Sequence, residues 1–100
     1  MIDPLQPGKV LRFRAKPGKG DQLFSLCAEL SERSNATDKV VIARAEDDPD
    51  TLWAMEFFKS DEALAAQDAD PEWDELHAQI GALIEEDFTL ALVRAYYAHF

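Results

Sequence analysis

The chain has 100 residues, 47% of them hydrophobic and 10% aromatic, which suits one small folded domain over residues 1–100 and excludes a disordered chain. Its formal net charge of −10 is uneven: residues 1–44 sum to +3 and residues 45–100 to −13. That acidic surface would repel a phosphate backbone, which argues against nucleic-acid binding and is otherwise a device for solubility.

The opening "MIDPLQPGKV" has no long apolar run, so neither a signal peptide nor a membrane anchor is expected, and a cytoplasmic location follows by default. In "KVLRFRA", residues 9–15, Leu11 and Phe13 alternate with Arg12 and Arg14, the pattern of a half-buried strand. Pro17, Gly18 and Gly20 break it, and Asp21 is placed to cap a helix. Leu23, Leu26, Cys27 and Leu30 then recur at helical spacing, with Ser34 and Asn35 as terminators. Cys27 is the only cysteine, which excludes an internal disulfide and a cysteine-based zinc site; on that face it suits a small buried hydrophobe.

"KVVIARAE", residues 39–46, and "TLWAMEFF", residues 51–58, read as two strands joined by the turn "DDPD". Ser60 is an N-cap for a short helix, and Pro71 fits the first turn of a longer one running to about Glu86. That helix carries an apolar stripe of Trp73, Leu76, His77, Ile80, Leu83 and Ile84. "DFTLALVRAYYAHF" is strand-like to the last residue.

The order β-α-β-β-α-β, with its second helical region split in two, predicts an α+β, ferredoxin-like domain. Such a domain has one four-stranded antiparallel sheet with helices on one face. Both faces of the last strand are largely apolar, unlike a strand wetted on one side. The bare sheet face is therefore expected to pack on a second copy, giving a symmetric homodimer through that face and the C-terminal strand.

Two stretches, "FRAKPGKGDQLFSLCAEL" at 13–30 and "TLWAMEFFKSDEALAAQDADPEW" at 51–73, resemble the antibiotic biosynthesis monooxygenase family of dimeric α/β-barrel proteins. The first is similar to the family's opening strand, Pro-Gly turn and first helix. The second is similar to its strand with a central Glu (Glu56), an aromatic (Phe58), then Ser60 and the "EAL" helix start. The resemblance spans about nine-tenths of the chain. It implies two sheets meeting as a barrel, and a pocket in each protomer between sheet and helices. Relatives of the quinol type use neither metal nor flavin, so no cofactor is implied: an electron-rich aromatic is deprotonated and passes an electron to O₂. Where many relatives carry a His after the "EAL" start, this chain has Gln67, which is no general base. A His matching His77 ligates iron in the haem-degrading branch, but that branch also uses a first-strand Asn and a Trp near Gln67, both absent here.

His77 can thus be a proton acceptor for an aromatic substrate, or a core histidine bonded to a neighbour. His99 is expected to be exposed or at an interface. Glu56 is a carboxylate that exchanges protons in an apolar pocket, or the partner of Arg12, Arg14, Arg44 or Arg94. Trp53, Trp73, Phe13, Phe58 and Tyr96 either line a site for a flat ligand, with Gln67 and Tyr96 or Tyr97 as polar anchors, or are plain core. The acidic runs "EDDPD" and "EED" lack the spacing of a calcium loop. Three functions remain: a cofactor-independent monooxygenase acting on an aromatic or quinol-type molecule, a non-catalytic small-molecule-binding or stress-related protein, and a structural dimer module.

Overall fold

The computed structural model describes residues 5–85 and 88–98. Its elements are β1 (Pro7–Arg14), α1 (Gly20–Arg33), β2 (Thr37–Arg44), β3 (Thr51–Phe58), α2 (Asp61–Asp68), α3 (Pro71–Leu83) and β4 (Thr89–Arg94). The strands form one antiparallel sheet in the order β2-β3-β1-β4, which is the ferredoxin-like α+β architecture. No helix among the described residues is long and apolar enough to cross a membrane.

Register sets what each face carries, because directly paired residues share a side of the sheet. On the helix side one line runs Val40, Glu56, Lys9, Leu92 across all four strands, and the next runs Ile42, Ala54, Leu11, Leu90. On the other side the matching lines are Val41, Met55, Val10, Ala91 and Ala43, Trp53, Arg12, Thr89. The helix α1 packs on β2, β3 and α3, and α2 packs on β3 and α3. Beneath them Phe13, Ala15, Leu23 and Leu52 form the core, joined by Cys27, Ile42, Ile80 and Ile84. Full burial of Leu23 alone contributes about 2–3 kcal/mol.

The local signals act mostly as expected. Ser60 accepts from the Ala63 N–H at 3.0 Å, and Pro71 stands in the first turn of α3 behind Asp70, which accepts from Glu72 N–H. At α1 the expectation fails, because Asp21 does not cap the helix. Its carboxylate instead lies 2.7 Å from the Arg44 guanidinium. The acceptor is Asp50, from the β2–β3 turn, which takes the N–H groups of Gly18 at 3.2 Å and Gly20 at 2.9 Å. Two glycines make this approach possible. Gly18 has φ +78°, and a Cβ on Gly20 would strike the Pro49 carbonyl.

The last strand is shorter than its sequence suggests. The regular β1–β4 pairing runs to Pro7 opposite Arg94. Beyond it Ala95 still donates to the Gln6 carbonyl and accepts from the Leu5 N–H, but Leu5 has φ +72°, which a strand cannot follow, so Tyr96 and Tyr97 fall beyond the strand. α3 ends at Leu83; Glu86, to which it was expected to run, and His99 lie outside the described residues.

Replacing Asp50 by Ala leaves the first turn of α1 without its acceptor. The expected loss is about 1 kcal/mol in urea unfolding, with Asn, which keeps one acceptor oxygen, losing less.

Candidate functional site

A cavity of about 380 Å³ lies between the sheet and the helices. Its floor is Leu11, Phe13, Ala54 and Leu90, in phase along their strands; Cys27 and Leu30 from α1 and Trp73, Ile80 and Ile84 from the α3 side make apolar walls. Five polar side chains reach it: Lys9 from β1, Ser31 from α1, Glu56 from β3, Gln67 from α2 and His77 from α3. This is the composition of a small-molecule site, apolar with a few placed polar groups. A second depression, between α1 and α3, is a surface groove lined by Gln22, Ser25, Glu29 and Gln79, with no such convergence.

His77 borders the cavity and is exposed, so it is not the core histidine bonded to a neighbour that the sequence favoured. Its ring lies 6.0 Å from that of Trp73, tilted by 52°, one helical turn away. Among the described residues the imidazole has no hydrogen-bond partner, and no group of three or more His, Cys, Asp or Glu is placed to hold a metal ion.

Glu56 is not paired with an arginine. Thr37 Oγ1 lies 2.5 Å from its Oε2, while Arg14 pairs with Glu85, Arg44 with Asp21 and Arg94 with Asp61. Parity explains Arg12 and Arg14, which point to the other sheet face; Arg12 stacks over Trp53 at 5.8 Å. Lys9 sits directly opposite Glu56 in the register, with its ammonium 3.6 Å from Asp68 and 5.5 Å over the Phe58 ring. Gln67 meets Ser34 Oγ at 2.5 Å. Burial, and then the nearby Glu56 charge, push the Cys27 thiol up to about 11.

Of the aromatics named from the sequence, Phe13 and Trp73 line the cavity, joined by Phe88, which sequence reasoning did not name for the site and whose ring lies 5.9 Å from that of Phe13. Trp53 lies on the opposite sheet face, Phe58 is wholly buried, and Tyr96 is 81% exposed and outside the lining. Sequence reasoning passed over Lys9, Thr37 and Ser31. Lys9 had a signal, being two residues before Leu11 and four before Phe13 on the same face of a strand.

No protein-family model matches the chain, and no curated protein matches its sequence. Solved structures do match its fold. A conserved protein from Methanosarcina mazei Go1 is 17% identical with a TM-score of 0.75, covering 90% of this chain and 92% of that one. A structure named antibiotic biosynthesis monooxygenase is 21% identical with a TM-score of 0.73, over 91% and 99%. SnoaB, a cofactor-independent oxygenase from Streptomyces nogalater, is 17% identical with a TM-score of 0.74, over 94% and 96%. The fold of this chain is thus that of antibiotic biosynthesis monooxygenases; identities of this size speak for fold alone.

The Cys27 thiol should alkylate slowly. Raised from 9.0 to about 11, it is ionised about a hundredfold less near neutral pH than an ordinary thiol. Iodoacetamide labelling should be slower by that order, and Glu56→Gln should restore only part of the rate, since burial is the larger cause.

Proposed function

We propose that the chain is a cofactor-independent monooxygenase acting on a hydroxylated, quinol-type aromatic held in the cavity between the sheet and α3. The observation that carries this reading is the convergence of an imidazole, a carboxylate, an ammonium, an amide and a hydroxyl on one cavity that is otherwise apolar. A flat ring suits the walls of Phe13, Trp73 and Ile80. The likeness in fold to a structure named as a cofactor-independent oxygenase supports the same chemistry.

In this reading His77 takes a proton from the bound molecule, imidazole being the side-chain base best suited to general-base work. Lys9 and Gln67 favour the negative charge left on the substrate oxygen, and the apolar walls keep water from competing. The anion then gives an electron to O₂, and the two radicals combine to a peroxide on a ring carbon. With the proton held by His77, the O–O bond and that carbon's C–H bond break, leaving one oxygen as a ring carbonyl and releasing the other as water. Glu56 anchors a second polar group of the ligand.

The sheet face bearing Val41, Trp53 and Met55, each about half exposed or more in the protomer, is proposed to pack on a second copy. A second functional reading, binding without catalysis, is favoured by one fact: the imidazole lacks an orienting partner among the described residues, whereas a catalytic base is ordinarily held by a third group.

Oxygen uptake with a panel of hydroquinones and anthrones separates the readings. Wild-type protein should consume oxygen, and His77→Ala should lower the rate by about 10²–10⁴-fold. No uptake above buffer, with a panel member still raising the melting temperature, gives the case to binding. At micromolar concentration the 11.2 kDa chain should size as a dimer, and Trp53→Glu should shift it to the monomer; a wild-type monomer would overturn the interface.

A further inference from the structure

The polar end of the cavity is backed by a line of four side chains. Glu56 Oε2 lies 2.5 Å from Thr37 Oγ1, Thr37 Oγ1 lies 2.9 Å from Ser34 Oγ, and Ser34 Oγ lies 2.5 Å from Gln67 Oε1. Each hydroxyl has a single hydrogen to give. Thr37 therefore cannot donate to both Glu56 and Ser34, although both oxygens are within reach.

Two arrangements place a hydrogen in every contact and leave no hydroxyl or carboxyl hydrogen idle. When Glu56 is a carboxylate, Thr37 donates to it and Ser34 donates to Thr37. Gln67 must then turn its NH₂ to Ser34, which leaves its carbonyl for the cavity. When Glu56 carries a proton, it donates to Thr37, Thr37 to Ser34 and Ser34 to the Gln67 carbonyl, leaving the NH₂ for the cavity. The hydrogens change direction by hydroxyl rotation and no proton travels the line. The two amide orientations have nearly the same shape, so a half-turn of the amide suffices. Ser34 cannot easily step out, because its Oγ also accepts the N–H groups of Ala36 at 3.2 Å and Thr37 at 3.1 Å.

We infer that Ser34 and Thr37 are positioning residues that wire the Gln67 amide to the Glu56 carboxyl, so that the proton on Glu56 decides whether this end of the cavity takes a hydroxyl or a carbonyl. The ligand consequence rests on the proposed reading of the cavity as an aromatic site. A carboxylate at Glu56, with the Gln67 carbonyl beside it, offers acceptors to a phenolic hydroxyl. Once Glu56 is protonated, the Gln67 NH₂ offers a donor to a phenolate or quinone oxygen, the groups that follow from that hydroxyl. Among the described residues, the charged or titratable groups that share this cavity with Glu56 are Lys9 on β1, Cys27 on α1 and His77 on α3, with Asp68 on α2 paired to Lys9.

The test uses ligand-free, full-length protein, so it stands whether or not oxygen uptake is found. Side-chain amide resonances of Gln67 and the carboxyl carbon of Glu56 are followed by NMR across pH. In the wild type the two should titrate with one midpoint. In Thr37→Val the Glu56 carbon should still titrate while the Gln67 amide loses its response, and Thr37→Ser should restore it. In Glu56→Gln the response at that midpoint should vanish, which separates it from titration of His77, Cys27 or Asp68. A Gln67 amide indifferent to Glu56 in the wild type, or one that responds equally in Thr37→Val, would overturn the proposal: the 2.9 Å contact would then hold two lone pairs and no hydrogen. In the second readout, the affinity ratio of 1-naphthol to 1-tetralone should fall roughly tenfold in the wild type as Glu56 gains its proton, and stay constant in Thr37→Val. A pH-independent ratio in the wild type would overturn the link to ligand choice.

Discussion

The structure turns on one line of the sheet: Val40, Glu56, Lys9, Leu92 on the side the helices cover. A carboxylate and an ammonium placed side by side under helices cannot be sealed in apolar contact without a large desolvation cost. Either water or polar partners must reach them. Thr37 serves Glu56 and Asp68 serves Lys9, and the space beside them stays open as the cavity. Had these two positions been leucine and valine, the same helices could have closed on the sheet, and Cys27 would have lost one of the two causes that raise its thiol.

Much of the fold was legible because its signals are local. Leu11 and Phe13 alternate with Arg12 and Arg14, Ser60 and Pro71 mark helix starts, and the turn at 47–50 joins a β-branched run to an aromatic-rich one. What stayed hidden depended on residues far apart in sequence. Asp21 has the right chemistry and position for an N-cap, yet the acceptor comes from Asp50, thirty residues from Gly20. β4 keeps its strand-like sequence past Arg94, but the backbone beside it leaves the extended conformation at Leu5.

The candidate site was legible in its polar groups and less so in its aromatics. His77, Glu56 and Gln67 share one cavity, whereas composition alone could not say which face each aromatic serves. Trp53 is one position out of phase with Ala54 and Glu56, so the two-residue period sends it to the far side of the sheet. The arginine partner expected for Glu56 fails on similar geometry. Arg12 and Arg14 have the wrong parity, and Arg44 and Arg94 are held at strand ends by Asp21 and Asp61. Thr37 carried no signal, because its approach to Glu56 depends on the irregularity between Thr37 and Lys39, which no local pattern announces.

The tie between Asp50 and the start of α1 also bears on how the molecule comes apart. The helix has no side-chain cap of its own at Lys19, so its first N–H, that of Gly20, has its acceptor only while the β2–β3 turn is closed. Opening the hairpin frees the helix end, and fraying the helix leaves Asp50 and Arg44 without their partners in α1. The two elements, though separate in sequence, should therefore exchange their amide hydrogens as one cooperative unit.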